Sequence, residues 1–402
     1  MELFTHRETD PAAVSGRPGL PLSGRRVVIQ PNMSRRGWPC NAGSRALENY
    51  TALEDAAIIP RLEKSGAHLA GNSRMSELGF GLSADTTVQA LIEKEADIAL
   101  MTDTMGEARV AAARAGIFGF KPSWGIVSRF GLIGLVPSME CYGVAAADPA
   151  DISGVMQAIS GKDDRDFSMP DGELPDFSQE GKTQTGSRRA GIVKEMLALL
   201  TDKDRGLFRE NLKMLGSAGV EVVEVTFPEF ELLQTAHQVI AAAEASSSAG
   251  KYDGVRYGYR APGAKNWNDM YLDSRGAAFG TLVKAFLFQG AYFQFENYAA
   301  FENACRVRRR LVRSMENLLS ELDLLVSPTC RMVRKDAAPS DVRGAYEEFI
   351  LTLPANLTGQ PALQVPGDPA GDCVGLHLTA KRLDDSRLLA LGRRLAASRG
   401  AK

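Results

Sequence analysis

Ala99-Leu-Met-Thr-Asp-Thr-Met-Gly-Glu-Ala-Arg109, followed by Ile117-Phe-Gly-Phe-Lys-Pro-Ser-Trp-Gly-Ile-Val-Ser-Arg-Phe-Gly-Leu132, is the stretch on which the reading of this chain turns. An apolar run enters Thr102-Asp103-Thr104, a glycine follows at Gly106, and a helical pattern begins at Glu107. The layout is that of a strand, a tight turn, and a helix whose N-terminus opens on the turn. Such a junction presents backbone N–H groups that the helix does not use itself, and these suit an anion or a reacting carbonyl oxygen. Whether it is catalytic depends on a nucleophile beside it, and the residue in that place is Glu107.

The flanking chain alternates strand and helix. Before the junction, Arg26-Val-Val-Ile-Gln30 reads as a short buried strand that Pro31 ends. Residues 53–65 carry Ala56, Ile59 and Leu62 at helical spacing and stop at Gly66; 68–71 form a strand, and 86–94 form an amphipathic helix capped by Asp85 or Thr86. After the junction come a helix over 149–160, a polar surface excursion over about 161–188, a strand over 189–194, a helix over 203–218 and a strand over 220–227. A helix over 230–248, a mostly helical tract over 280–322, a strand over 324–328, a helix over 344–353, strands over 362–365 and 374–378, and a closing helix over 384–398 complete the pattern. This alternation predicts an α/β fold, with a mostly parallel sheet covered by helices on both faces. Residues 1–23, rich in Pro, Gly and charge, read as an extended lead-in to one domain over 24–400. The aromatic run Phe286, Phe288, Tyr292, Phe293, Phe295, Tyr298 and Phe301 reads as core packing, because its spacing suits one buried helical face.

Composition excludes several classes. A formal net charge of −2 supplies no basic field for direct nucleic-acid binding, and the arginines of 306–313 read as a solvated helix face. No run approaches the roughly 18 apolar residues of a membrane span, and residues 1–20 hold no signal core, so the cytoplasm is expected. Cys40, Cys141, Cys305, Cys330 and Cys373 are scattered without a Cys-x-x-Cys pair, and His6, His68, His237 and His377 are equally dispersed. Neither a disulfide framework nor a metal or other cofactor is expected.

Three segments together resemble the amidase-signature family, and within it the A-type chains of glutamyl/aspartyl-tRNA amidotransferases. They are Gly116 to Gly131 around Lys-Pro-Ser-Trp-Gly, Glu244-Ala-Ser-Ser-Ser through Arg260, and Leu353-Pro-Ala-Asn-Leu-Thr-Gly-Gln-Pro361. The resemblance runs from about residue 22 to 393 and implies a single α/β domain on a large mixed sheet. It also implies a hydrolytic site of Ser, cis-Ser and Lys, in which a neutral lysine, relayed through the second serine, takes the proton of the nucleophilic hydroxyl. The family's lysine follows the first strand; here the place is Gln30, an amide that cannot serve as base. The family's Asp-Thr-Gly-Gly-Ser is replaced by Asp103-Thr104-Met105-Gly106-Glu107, so the former oxyanion loop keeps one glycine and loses the serine. A glutamate there is favoured as a helix cap by roughly 0.3–1 kcal/mol. The loop carrying the bridging serine is shortened by some twenty residues, and counting back from Asp103 puts Ser83 in its place.

The resemblance implies changes on the substrate side too. The arginine and aspartate that grip the amino-acid end of glutamine correspond to Ala285 or Phe286, and to Phe349, while Tyr252 and Tyr257 remain. The helices that precede the first strand in the family are not found in residues 1–23. The sum is a chain expected to be non-catalytic, a binding or structural subunit of an assembly with protein partners or a second copy, with a small amide as a conceivable ligand. One alternative is a divergent amidase using Glu107 or Asp103 as base and Thr102 or Thr104 as nucleophile; another is an A-type amidotransferase subunit.

Overall fold

The computed structural model describes residues 2–9, 19–178, 188–256, 258–331, 339, 341–367 and 374–400. The strands, short and rich in Val, Ile, Leu and Ala, are β1 (Phe4–Arg7), β2 (Arg26–Ile29), β3 (His68–Ser73), β4 (Ile98–Asp103), β5 (Phe118–Lys121), β6 (Cys141–Ala146), β7 (Arg188–Val193), β8 (Val220–Val225), β9 (Leu324–Pro328), β10 (Ala362–Val365) and β11 (Leu376–Ala380). The helices are α1 (Ile58–Lys64), α2 (Gln89–Ile92), α3 (Glu107–Ala115), α4 (Pro149–Ile159), α5 (Lys194–Ala198), α6 (Asp202–Ser217), α7 (Leu232–Ala249), α8 (Trp267–Ala278), α9 (Thr281–Ala291), α10 (Tyr298–Glu321), α11 (Val342–Phe349), α12 (Leu353–Thr358) and α13 (Asp385–Gly400).

Among the described residues the strands form one sheet in the order β1-β3-β2-β4-β6-β5-β10-β11-β9-β7-β8. The sheet is mixed, and its parallel part is smaller than the alternation predicts. Parallel pairing is confined to β3-β2-β4 and β9-β7-β8, while the run from β4 through β6, β5, β10 and β11 to β9 is antiparallel throughout. The cause lies in the connections. β5 and β6 are joined without a crossover helix, and such neighbours run antiparallel. The lead-in likewise contains β1, which pairs antiparallel with β3 at the sheet edge; residues 10–18 lie outside the described residues.

Both faces of the sheet are covered. Along β4, Ile98 and Leu100 join the cluster beneath α1, α4 and α13, whereas Ala99 and Met101 join Ala108 and Ala112 of α3 on the other face. α3 approaches unusually closely because glycines lie under it. A Cβ at Gly119 would come 2.6 Å from the Ala112 Cβ, and one at Gly143 would come 2.2 Å from the Ala108 Cβ.

Two helical expectations shift. The helix expected over 53–65 begins only at Ile58, because Pro60 is accepted in a first turn and not further in; the one expected over 86–94 shrinks to α2. The aromatic run does not share one buried face. Phe286 is 1% exposed, but Phe288, Tyr292, Phe295 and Tyr298 are 52–79% exposed. A π-helical turn at Tyr292–Glu296 and the break at Asn297, whose side chain caps Ala300, change the helical phase in mid-run. The surface excursion has no helix or strand over 161–178, and Asp163 and Asp166 tie it to Ser128 Oγ (2.8 Å) and the Arg129 N–H (2.7 Å); residues 179–187 lie outside the described residues. Among the described residues no helix is long and apolar enough to cross a membrane.

Candidate functional site

The end of β4 delivers Asp103 to the turn Thr104-Met105-Gly106, and α3 leaves it. Gly106 has φ 136°, which only glycine adopts readily, and a Cβ there would lie 1.9 Å from the Thr352 Oγ1. The same hydroxyl donates to the Met105 carbonyl at 2.8 Å, so the turn is clamped from the segment before α12. Glu107 folds back over this turn. Its Oε2 accepts from the N–H groups of Thr104 (2.7 Å), Met105 (2.8 Å) and Gly106 (3.1 Å). The donors that would face an oxyanion are therefore occupied by a side chain of the same chain. Its Oε1 is buried with no hydrogen-bond partner among the described residues. Burial first, and then the neighbouring Asp103 charge, push the Glu107 carboxyl up to about 7 against the pull of the backbone N–H groups.

Beneath the turn lies an ion pair with no exposure on either side. Arg109 bonds Asp103 through Nη2 (2.7 Å) and Nε (3.1 Å), the Thr352 carbonyl through Nη1 (3.0 Å), and Asn356 Oδ1. Asn356 Nδ2 returns bonds to the Asp103 carbonyl and carboxylate at 2.9 Å each. Burial alone would raise Asp103; Arg109, Asn356 and Lys121 outweigh it, and the carboxyl stays below its ordinary range. His377 is held neutral by burial, by Arg109 and by Lys121. Its Nε2 faces Arg109 Nη1 at 2.7 Å and accepts from it, since Arg has no acceptor.

Gln30 sits beside this, at the end of β2, and both ends of its amide are used. Oε1 accepts from the Thr102 N–H (2.8 Å) and hydroxyl (2.9 Å), and Nε2 donates to Asp85 Oδ2 at 2.6 Å. Asp85, pushed up to about 6 by burial, also accepts from the Thr87 N–H at 2.8 Å. Ser83, which the resemblance puts at the bridging position, lies in an exposed turn, and Asp85 is the group that meets Gln30.

Above the turn, His237 donates from Nε2 to the Thr104 carbonyl (3.1 Å) and accepts at Nδ1 from the Tyr346 hydroxyl (2.9 Å). Burial pulls its pKa to about 3, so it is neutral. Tyr346 stands 6.5 Å from Phe286, which stacks on Phe80 at 4.6 Å, and Phe349 is fully buried in the same apolar cluster as Met105. Ala285 is exposed, so Phe286 is the inward member of that pair. Tyr252 belongs to the cluster further out, edge-on to Phe279 at 6.3 Å. Tyr257 lies outside the described residues. The structure thus gathers Gln30, Thr102, Asp103, Thr104, Met105, Gly106 and Glu107 at one junction, with Phe286 and Phe349 packed over it.

This arrangement can bind and brace; a hydrolytic step meets two obstacles. The Thr102 hydroxyl points to an amide oxygen, which cannot take its proton, and the turn's donors already hold Glu107. No cluster of three or more His, Cys, Asp or Glu suited to a metal ion occurs among the described residues. Sequence reasoning missed Asp85, Arg109, His237, Tyr346, Asn356 and His377 as members of the site. Two carried a signal: Arg109 lies six residues after Asp103, and Asn356 lies inside the Pro-Ala-Asn-Leu segment.

A family model described as Amidase matches residues 5–91 and 89–389. The A-type chain of the glutamyl-tRNA(Gln) amidotransferase from Lactobacillus gasseri is 33% identical over 90% of this chain and 82% of its own length. The protein of the same description from Symbiobacterium thermophilum is 32% identical over 92% of this chain and 81% of its own. The crystal structure of the corresponding Thermotoga maritima protein has a TM-score of 0.79 at 25% identity, covering 97% of this chain and 86% of that one. A native peptide amidase from Stenotrophomonas maltophilia shares the fold, with a TM-score of 0.74 at 22% identity, covering 94% and 83%.

Proposed function

This chain belongs to the amidase family, and we propose that it is a degenerate member that no longer hydrolyses amides and works as a binding or structural subunit of a cytoplasmic protein assembly. The observation that carries this reading is the Glu107 carboxylate lying on the N–H groups of Thr104, Met105 and Gly106, where a reacting carbonyl oxygen would have to sit. Gln30 in the place of the family's lysine supports it, because the relay has no base. The description of its relatives as one subunit of an amidotransferase supports the assembly. The test is ammonia release by the purified protein from glutamine, asparagine and short aliphatic amides. No turnover is expected. Turnover that Glu107→Ala abolishes would overturn the reading.

One observation favours a second reading. Glu107 has a pKa near neutrality, which a general base needs. A divergent C–N hydrolase would then use Glu107 or Asp103 on water, with Thr102 or Thr104 as nucleophile. It requires a rate that rises with pH through about 7 and disappears in Glu107→Gln. A third reading, an A-type tRNA amidotransferase subunit, rests on the relatives' identity alone and requires growth of a strain deprived of that component when this chain is supplied.

A further inference from the structure

Far along the chain from the Glu107 turn, the loop before α8 forms a cavity of about 460 Å³, within the range of small-molecule sites. It is lined by residues 260–267 and Met270, with Arg260, Lys265 and Trp267 among them. The loop is fixed at its base. A Cβ at Gly258 would lie 1.9 Å from the Ala46 carbonyl oxygen, the Tyr259 N–H donates to the Arg45 carbonyl at 3.1 Å, and the Ala261 N–H donates to Ser274 Oγ at 3.0 Å. At the start of α8 the Asn266 side chain already accepts from the Asp269 N–H at 3.0 Å.

Three features of the lining suit a ligand. Among the described residues, Arg260 and Lys265 have neither an ion-pair nor a hydrogen-bond partner, so both heads are open to an anion. Trp267 is 61% exposed, whereas Trp38 is 8% exposed. Two unpartnered cations and an exposed indole line one concavity.

We propose that this cavity binds a planar ring carrying a phosphate, and specifically a mononucleotide, with the base stacked on Trp267 and the phosphate held by Arg260 and Lys265. A phosphate monoester carries about −1.5 to −2 charge at neutral pH, which two cations match and a single carboxylate does not. Every base offers a face to stack on, so the indole supplies affinity without choosing among bases. A polynucleotide is disfavoured because the chain's net charge is −2 and it lacks the basic field that binding to successive phosphates needs. The site is independent of the Glu107 turn, so its failure leaves the proposed function standing, and the reverse.

The test is titration of the intact protein with AMP while Trp267 fluorescence is followed, with Trp267→Phe locating the signal, and adenosine, inorganic phosphate and a short single-stranded RNA as the other arms. The expected result is saturable quenching by AMP, at least tenfold weaker binding of adenosine and of phosphate, and at least tenfold weaker AMP binding in both Arg260→Ala and Lys265→Ala. Unchanged thermal unfolding of these surface variants separates lost binding from lost folding. No quenching, or equal affinity for AMP and adenosine, overturns the proposal. So does equal affinity for AMP and phosphate, which would mark a bare anion site. RNA binding at least a hundredfold tighter than AMP, lost in the same variants, overturns it in favour of a nucleic-acid surface.

Discussion

Glu107 is held by three backbone donors and still titrates high, because losing water and facing Asp103 outweigh them. Its folded pKa of about 7 lies above the ordinary 4.5, so the folded state binds this proton more tightly than the unfolded chain. Stability is then full below about 4.5, and falls as pH rises through about 7. Urea unfolding at pH 5 and pH 8 should show wild type losing on the order of 1–3 kcal/mol more than Glu107→Gln across that interval. An equal loss in both proteins would remove Glu107 as the cause. Arg109 makes the opposite case. Arg109→Met leaves Asp103 buried and uncompensated, and chemical denaturation should show a destabilisation of about 3–5 kcal/mol, partly recovered by adding Asp103→Asn. At this scale the sequence is legible where a continuous stretch carries the residues together, as it does Thr102 to Glu107. It is silent on His237 and Tyr346, which lie 130 or more positions from the turn and enter only through the folded chain.

The elements were readable as far as one period persisted. β4 and α3 emerge from a single stretch, but β5 and β6 carry glycines that weaken a strand signal, and those same glycines are what let α3 lie so close. The tract from α9 to α10 misleads because the π-helical turn resets the phase, a change of geometry that composition does not announce. That phase can be checked. Phe286→Ala should cost about 3–5 kcal/mol in a denaturant melt, while Phe295→Ser, at a residue 79% exposed, should stay within about 0.5 kcal/mol. Comparable costs at both positions would mean the tract is wrongly phased. The clamp on the turn gives a sharper contrast. Gly106→Ala should destabilise by at least about 2 kcal/mol, from backbone strain and from the collision with Thr352, and Thr352→Ala in the same chain should restore part of the loss.

At the scale of the whole molecule, the resemblance foretold a large mixed sheet, and the alternation of elements overestimated its parallel part because parallel pairing is confined to β3-β2-β4 and β9-β7-β8, while β4 and β5, linked by α3, are separated by the antiparallel β6. The scaffold of the family is therefore retained, and the junction at the ends of β2 and β4 holds Gln30 and Glu107. On the proposed function, a strain deprived of its A-type amidotransferase chain should fail to grow when this protein is supplied, with expression verified by immunoblot. The three bonds to Glu107 also give the molecule a direction of change. Placing a serine at this position would strip the acceptor from three donors at once, and each buried donor left without a partner costs about 1–3 kcal/mol. Set against a total stability of roughly 5–15 kcal/mol, that single substitution leaves a protein near its unfolding threshold. The carboxylate acts as a ratchet: a shorter side chain is tolerated there only once some other group holds the turn.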